Sequence, residues 1–327
     1  MPGKPHKEIK DAMNKFFAKL KRLNKSKATN IILVWLMMLP GLAYLFFNNY
    51  LPMYGITIAF KRLDFSLPNV LASPYIGFEN FEFLFESEAI WTYVRNTVLY
   101  NAAFILLNIF IPVSLAVLFT TIRGKRIKGV YQTLILLPHL MSWVVVTYMA
   151  FALFSGENGL FNSMIEANGG TRINFYGRNA QPYWPFILVF FNMWKGTGFI
   201  FLFYYSSILS ISPSLYEAAK LDGASYWQQV RYITLPSIKP IIITIFILGI
   251  ANIFRSDFGL FYLVTKNSGE LYDVTQTIDM FVFNALKGSG DLVQSSAASV
   301  IQSLVGFVLV LSANLILRKV DRDNALF

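Results

Sequence analysis

The residues of this chain that could do chemistry are few, and the most distinctive is a lysine inside an apolar segment. Lys195 stands in the run WKGTG at residues 194–198, near the middle of that segment. A charge at the centre of a membrane-spanning helix is costly, so it faces a cavity or a partner group. We therefore consider two interpretations of Lys195. It lines a pathway or gate, or it is paired within a helix bundle or snorkels to the membrane surface.

A second polar group lies near the end of the next apolar segment and comprises Asn252, Arg255 and Asp257. On a regular helix, residues two apart point in different directions, so Arg255 and Asp257 would not pair. A helix break before Phe258-Gly259 would change that, but the favoured interpretation is that the group marks the outer end of a span. Six side chains are candidates for lining a substrate pathway: Lys195, Trp194, Asn192, Tyr204, Asn252 and Arg255.

Several kinds of chemistry are excluded or disfavoured by composition. The 327 residues include no cysteine and only two histidines, His6 and His139, so we expect no metal site and no cofactor bound by this chain. No stretch has the spacing of a phosphate-binding P-loop, and no nucleophile or carboxylate pair converges as an enzyme would require. The net charge of +10 comes from clusters in a few loops, which indicates membrane topology and not nucleic-acid binding.

The segment of residues 212–240 is the one long amphiphilic insert between two very apolar stretches. Ser214 and Glu217 have the spacing of a capping box, as do Ser225 and Gln228, so each pair predicts the start of a helix. Gly223 between them predicts a helix end with positive φ. We therefore expect two short helices joined at Gly223, the second interrupted at Pro236.

The spacing of the insert carries a resemblance to a known family. Glu-Ala-Ala, a glycine six residues after the glutamate, and Ile-x-Leu-Pro resemble the motif of permease subunits of binding-protein-dependent ABC importers. The matching positions are Glu217, Ala218, Ala219, Asp222, Gly223, Ala224, Ile233, Leu235 and Pro236. Shorter pieces across most of the chain, such as Gly77-Phe-Glu-Asn80-Phe81 and Ile278-Asp279, look like the MalF/LplB-type sugar branch.

That resemblance implies a set of partners. In the family, the insert is a coupling helix, here residues 212–236, that sits in a cleft of a cytoplasmic ATPase subunit. It implies a second homologous permease subunit, two ATPase subunits that bind ATP and Mg, and an extracytoplasmic solute-binding protein. It also implies a sugar or oligosaccharide as cargo, and we expect a neutral or weakly charged one. The alternatives are a chance interfacial loop, an ABC permease for a non-sugar solute, and a secondary transporter, although we see no internal repeat.

The composition is that of an integral membrane protein, 55% hydrophobic and only 14% charged. Six apolar segments are each about 20 residues long, enough to cross a bilayer. They predict an all-α protein with six transmembrane helices of the MalF-type permease fold. The predicted spans are residues 31–50, 97–121, 131–154, 185–209, 238–262 and 297–317.

Basic residues predict the orientation of these spans. With both termini in the cytoplasm, the N-terminal segment, the 123–128 loop, the insert and the C-terminal end place 19 of the 28 Lys and Arg residues inside. The expected parts are a basic amphipathic segment on membrane lipid at residues 1–30, a first span with an extracytoplasmic loop at 31–96, and a five-helix core at 97–320. The protein is thus predicted to be a multi-pass protein of the cell membrane.

Overall fold

The structure is a computed structural model that describes residues 25–67, 72–289 and 291–320. Within these ranges the regular structure is helical, and the extended pairing is an isolated antiparallel bridge between Lys61 and Tyr75. The chain divides into two compact units, one ending at Thr57 and one beginning at Ile58. The amphipathic helix predicted over residues 7–23 lies outside the described residues.

The first unit is a single long helical run. Helix α1 (Lys25–Leu45) continues through a π-helical turn, Phe46–Tyr50, and the short helix Leu51–Met53. The candidate span begins at Ile31 and runs past the predicted end at residue 50 to Phe60, and its most apolar window is unburied. A helix that is apolar on all sides is suited to a membrane or to contact with another chain.

The second unit contains nine longer helices within the described residues and several short ones. The longer helices are α2 (Glu88–Thr121), α3 (Lys125–Leu140), α4 (Trp143–Phe154), α5 (Leu160–Ala167), α6 (Trp184–Leu209), α7 (Pro213–Leu221), α8 (Tyr226–Ala251), α9 (Ile278–Asn284) and α10 (Leu292–Val320). Two short helices, Glu79–Phe81 and Phe83–Glu86, precede α2. Helices α2 and α6 pack along each other, α3 packs on α6, and α10 packs on α8 and α9.

Two apolar cores fill the space around α2 and α6. One contains Trp184, Phe191 and Tyr100, and the other contains Phe119, Phe201 and Tyr204. Because α6 contributes to both cores, it forms the axis on which the functional side chains are placed. By length and hydropathy, the described helices provide five spans, or six when the bent pair α3 and α4 is taken as one. The all-α fold with up to six spans is confirmed.

The third predicted span, 131–154, is wrong as a continuous helix. Helices α3 and α4 meet at an angle of 93° across Met141 and Ser142. Ser142 is the N-cap of α4, and its Oγ accepts a hydrogen bond from the Val145 amide at 3.3 Å. A side-chain cap of this kind starts a new helix, because it satisfies an amide that the preceding turn would otherwise have bound.

The fifth predicted span, 238–262, is wrong at both ends. Helix α8 begins at Tyr226 and does not stop at Pro236, because the turn Val230–Thr234 just before this proline is π-helical and the proline is at the second position of the α-helical part. A proline at that position costs the helix little stability, because an amide in the first turn has no partner within the helix. The helix ends at Ala251, and a separate π-helical turn, Gly259–Val264, follows a non-helical stretch.

Candidate functional site

Helix α7 is the first half of the insert, and its ends are set by local hydrogen bonds. Its N-cap is Ser212, and the capping box predicted for Ser214 and Glu217 does not form. The prediction was wrong because Pro213, whose φ suits a first helical turn, moves the helix start back to itself, and the Ser214 hydroxyl pairs with Ser212 Oγ at 2.8 Å. The insert therefore enters α7 two residues earlier than a cap at Ser214 would place it.

The C-terminal end of α7 is as predicted. Gly223 has φ +80°, and its amide donates to the Lys220 carbonyl at 3.1 Å. The Ala224 amide donates to the Ala219 carbonyl at 2.8 Å. These two bonds form a Schellman motif, in which a left-handed glycine closes the helix.

The start of α8 confirms the second predicted capping box. The Ser225 amide donates to Gln228 Oε1 at 2.7 Å, and the Gln228 amide donates to Ser225 Oγ at 3.4 Å. The two helices of the insert are therefore each fixed by residues within a few positions of the junction at Gly223.

Two tyrosines attach the insert to the bundle, and sequence reasoning did not single out their hydroxyl contacts. The Tyr226 hydroxyl donates to the Val117 carbonyl of α2 at 2.9 Å and lies 3.3 Å from Thr120 Oγ1. The Tyr216 hydroxyl lies 2.9 Å from Thr234 Oγ1 of α8. The end of the bundle formed by residues 120–128 and 209–234 is called the insert end below.

The outer surface of the insert is exposed and partly apolar. No residue of α7 is buried, Glu217 and Ala218 are exposed, and Leu221 is 90% exposed. Trp227 and Tyr232 are also exposed. Glu217 faces a cleft of about 630 Å³ that Arg123 and Lys220 also line. Large exposed apolar side chains on a polar-rimmed surface indicate a protein-binding site, and Leu221 and Trp227 are members that the motif alone did not reveal.

The other motif residues are distributed around this surface. Asp222 is exposed, Ala219 and Ala224 are half-buried, and Ile233 is half-buried on α8. Leu235 and Pro236 are exposed. The structure thus brings Glu217, Asp222 and Gly223 to the exposed side of the insert, while Ile233, Leu235 and Pro236 belong to the helix that carries the insert.

Lys195 lies at the bend between α3 and α4. Its Nζ donates to the His139 carbonyl at 2.9 Å and to the Met141 carbonyl at 2.7 Å. It also lies 5.3 Å from the centre of the Trp143 ring. The ammonium group therefore satisfies carbonyls left open at the C-terminal end of α3, where a positive charge is favourable. Of the two sequence interpretations, this geometry matches a lysine paired within the bundle.

Trp143 connects this bend to the break after α8. Its Nε1 donates to Asp257 Oδ2 at 2.9 Å. The other carboxylate oxygen of Asp257 accepts hydrogen bonds from the amides of Gly259 at 2.8 Å and Leu260 at 3.3 Å. Asp257 therefore caps the turn that follows the break and also fixes the indole of α4, so that the two broken spans are joined.

Arg255 does not pair with Asp257 in the described part of the chain. The Arg255 side chain is exposed, and its carbonyl accepts from Asn101 Nδ2 at 2.9 Å. The favoured expectation, that this group lies at the end of a regular span, is therefore only partly correct. The span does end near Asn252, but the chain then turns back into the bundle through the Gly259–Val264 turn.

A half-buried carboxylate network also holds the break after α8. Asp279 Oδ2 accepts from Ser256 Oγ at 3.0 Å and also from the Ser256 amide. Asp279 Oδ1 accepts from Gln302 Nε2 of α10 at 2.9 Å, and Gln302 also donates to the Phe254 carbonyl. Backbone groups of a broken helix must be satisfied within the membrane, and here side chains from α2, α9 and α10 do so.

The remaining pathway candidates are not brought together. Tyr204 is fully buried in the core around Phe119 and Phe201. Trp194 and Asn192 are half-buried on α6, and Trp194 packs against Phe191. Asn252 is exposed, and its Nδ2 donates to the Leu248 carbonyl at 2.8 Å. Of the six, Lys195 bonds to the bend between α3 and α4, whereas Asn252 and Arg255 lie at the break after α8.

The end of the bundle opposite to the insert is formed by loops. The Asn96 side chain donates to the carbonyls of Asp273 and Gln276, each at 3.1 Å, and the Arg178 amide donates to Glu270 Oε2 at 2.8 Å. Residues 168–183 and 265–278 form what is called the loop end below. Burial raises the pKa of Tyr176 there to about 12, so its phenol remains neutral.

Comparisons with known proteins identify the class. Residues 108–324 match the family described as binding-protein-dependent transport system inner membrane component. The chain is 34% identical over 291 residues to the polygalacturonan/rhamnogalacturonan transport system permease protein YteP of Bacillus subtilis (strain 168), covering 89% of each protein. It is 28% identical over 302 residues to the trehalose/maltose transport system permease protein MalF of Thermococcus litoralis, covering 91% of this chain and 97% of the relative.

A solved structure shares the fold. A chain of a bacterial alginate ABC transporter, crystallised in complex with alginate pentasaccharide-bound periplasmic protein, gives a TM-score of 0.80 at 28% identity, over 90% of this chain and 97% of that one. The helices and the exposed insert define a multi-pass membrane permease. The chain belongs to the family of binding-protein-dependent transport system inner membrane components. The resemblance inferred from the insert, including its MalF/LplB-type branch, is confirmed.

Proposed function

We propose that this permease subunit is driven by ATPase chains that bind at the insert end. The observation that carries the proposal is the exposed, doubly capped insert, in which Glu217 and Leu221 face outward while Tyr226 and Tyr216 attach it to α2 and α8. A short rigid helix of this kind transmits a displacement of its partner to the spans. The ATP and Mg would be bound by the ATPase chains, and this chain would bind neither.

We further propose a sugar or oligosaccharide as cargo. The names of two relatives refer to polygalacturonan/rhamnogalacturonan and to trehalose/maltose, and the related crystal structure is of an alginate transporter. An extracytoplasmic binding protein would deliver the cargo at the loop end. The alternative of a non-sugar solute is an outcome that the uptake assay below can reveal.

The pathway would run beside the two broken spans and be completed by a second permease subunit. Ser142, Arg255 and Asp257 are exposed at the breaks. Non-helical backbone at membrane depth is tolerated where it is buried in protein or lines a water-filled cavity. A second permease packed against this side would bury part of the broken backbone in protein. The rest of that backbone would line a water-filled cavity between the two subunits.

The first experiment isolates the protein from its native membrane and reconstitutes the intact complex in vesicles. We expect an ATPase chain and a second permease to co-purify, and saccharide uptake to require ATP and the binding protein. Uptake by this chain alone, driven by an ion gradient without ATP, would instead identify a secondary transporter.

The second experiment tests the proposed orientation, with both termini in the cytoplasm. A cysteine at Lys125, which is exposed at the insert end, should be protected from an impermeant thiol reagent added to intact cells, and a cysteine at Ser163, which is exposed on α5, should react. Gly124 is unsuitable for the inner position because its φ of +94° disfavours a cysteine. The reverse labelling would place the insert on the outer side and contradict the ATPase contact.

A further inference from the structure

An aromatic cluster lies between the break after α8 and the loop end. The rings of Phe258 and Tyr262 are stacked with centroids 4.6 Å apart, and the Phe283 ring meets them edge-on at 4.7 Å and 4.9 Å. Phe258 is 39% exposed, and Tyr262 and Phe283 are half-buried. The three residues, called the Tyr262 cluster, thus present ring surface on one side of the bundle. Ring faces of this kind can stack against the apolar face of a pyranose.

One exposed lysine, Lys287, contacts the Tyr262 cluster, and a second, Lys266, lies four residues after Tyr262 in the sequence. Lys287 Nζ lies 3.0 Å from the Tyr262 hydroxyl, and Lys266 Nζ lies 3.3 Å from the centre of the Phe151 ring. In the described part of the chain, no carboxylate oxygen lies within the 4.0 Å of an ion pair from either ammonium group. Each lysine is therefore held by aromatic groups and retains donors for an anion.

Hydrogen bonds fix the segments that carry these lysines relative to each other. The Asn267 and Asn284 side chains form a reciprocal amide pair with distances of 3.1 Å and 3.0 Å. Tyr272 OH donates to Asn267 Oδ1 at 3.1 Å. Lys266 and Asn267 both have left-handed backbone, with φ of 56° and 48°. Non-glycine residues adopt this conformation at a cost, so the contacts of Asn267 maintain a strained turn that places Lys266 beside the rings of Phe151 and Tyr176.

Lys195 is a poor candidate for binding an anion, although it is the pathway lysine that the sequence suggested. Its ammonium group is occupied by the carbonyls of His139 and Met141. Within the described residues, the hydrogen bonds and ring contacts of Lys266 and Lys287 include no comparable pair of acceptors. Besides Arg255, which is exposed at the break after α8, these two lysines supply positive charge that remains available in the proposed pathway.

We propose that Lys266, Lys287 and the Tyr262 cluster form a subsite for an anionic sugar unit, such as a uronate, on the pathway between this chain and the second permease. This inference rests on the proposed function and names its substrate class. The ring faces would stack on the sugar while an ammonium group donates to its carboxylate, a charge-assisted bond stronger than one to a neutral hydroxyl. It departs from the expectation, drawn from the sequence, of a neutral or weakly charged cargo.

The test uses the reconstituted complex with its binding protein and compares trigalacturonate with a neutral galactose trisaccharide. Lys287→Met and Lys266→Met should each lower trigalacturonate uptake at sub-saturating concentration by roughly tenfold, which is the lower range for losing a bond to a charged group. Uptake of the neutral trisaccharide should stay within about twofold. Tyr262→Phe, which keeps the ring but removes the hydroxyl that holds Lys287, should give a smaller loss with the same preference.

Arg172→Met is the matched control, because it also removes a positive charge near the loop end but from a guanidinium already paired with Glu166 at 2.9 Å. It should leave the ratio of the two uptakes unchanged. Lys287→Arg retains the charge and should retain most trigalacturonate uptake. Co-purification of the ATPase chain with each variant shows that the complex has assembled.

The outcomes separate the subsite from the proposed function. If Lys287→Met and Lys266→Met lower the uptake of both trisaccharides equally, or of neither, the subsite is overturned while the proposed sugar import stands. Preference of the wild-type complex for the neutral sugar would overturn it too. If the wild-type complex hydrolyses ATP but takes up neither trisaccharide, both the subsite and the proposed sugar cargo are contradicted.

Discussion

The insert end and the joined breaks satisfy their backbone groups in different ways. In the insert, Gly223 and Ala224 bond to carbonyls no more than five residues away, and Ser225 bonds to Gln228. At the breaks, local caps at Ser142 and Asp257 are supplemented by partners distant in sequence: Lys195 bonds to a carbonyl 54 residues away, and Trp143 to a carboxylate 114 residues away. The insert is thus shaped by local geometry, whereas the breaks depend on the packing of the whole bundle.

This difference has a mechanical consequence. A locally fixed insert presents the same surface to its partner in any arrangement of the spans, as a docking element requires. Breaks held by side chains from several helices can change only when those helices move together, because losing one bond leaves buried polar groups unsatisfied. Changes at the breaks should therefore reduce the stability of the bundle, and changes in the insert should reduce coupling instead.

The largest expected effect is at Gly198, where α6 approaches α3. A Cβ on Gly198 would lie 2.1 Å from the Ile135 carbonyl oxygen, a backbone atom that cannot move aside easily. We expect Gly198→Ala to destabilise the purified complex by about 3 kcal/mol or more, measured by thermal unfolding in detergent.

Gly196 gives a control on the same helix. A Cβ there would meet only Asn108 Oδ1, at 3.9 Å. Gly196→Ala should therefore be neutral or stabilising by about 0.5–1 kcal/mol, since alanine favours a helix over glycine. Similar stability for the two alanine variants would show that the packing of α6 on α3 is looser than described.

A smaller loss is expected for Lys195→Met. The change leaves the carbonyls of His139 and Met141 without their charged donor, at a cost of about 2–3 kcal/mol. Thermal unfolding measures this loss of stability. Lys220→Met in the insert is the control, because replacing that exposed lysine should change stability by less than about 0.5 kcal/mol. If both methionine variants unfold at the wild-type temperature, the bend does not depend on Lys195.

Gly223→Val should have the smallest effect on stability and a clear effect on coupling. No atom lies within 4 Å of an added Cβ, so the cost comes from forcing valine to φ +80°, about 1–2 kcal/mol. The variant should be present in the membrane at the wild-type amount, and affinity capture should show weaker association with the ATPase. Gly223→Asn, which tolerates left-handed backbone, should keep most of the association. Equal capture by the valine variant would mean that Gly223 does not position α7.

The same contrast explains what could be predicted from sequence. The ends of α7 and α8 at Gly223 and Ser225 were predictable because capping bonds involve neighbouring residues. The insert start was missed by two residues, since Pro213 and the motif at Ser214 compete for the same turn. The family resemblance and the number of spans followed from a spaced motif and from apolar length.

The breaks were missed because long apolar runs masked their local caps, and because their other bonds join distant segments. Hydropathy indicates one span over 131–154, although Ser142 caps α4 and Lys195 of α6 bonds to the Met141 carbonyl at the 93° bend. Arg255 and Asp257 were not expected to pair on a regular helix, but nothing in the sequence identified Trp143 as the partner of Asp257. The lysines at 266 and 287 gave no signal in the sequence, since their aromatic partners belong to other segments.

The most direct test of the account is to identify the neighbours of the two ends in the assembled importer. A photo-crosslinking amino acid is placed at Leu221, the most exposed apolar residue of the insert, and in a second sample at Ser163 on α5. Mass spectrometry of the products from membrane vesicles identifies the partner chains. The account predicts that Leu221 crosslinks to the ATPase chain and that Ser163 does not. Crosslinking of the ATPase from Ser163, or its absence from Leu221 in an active complex, would contradict the assignment of the insert as the coupling element.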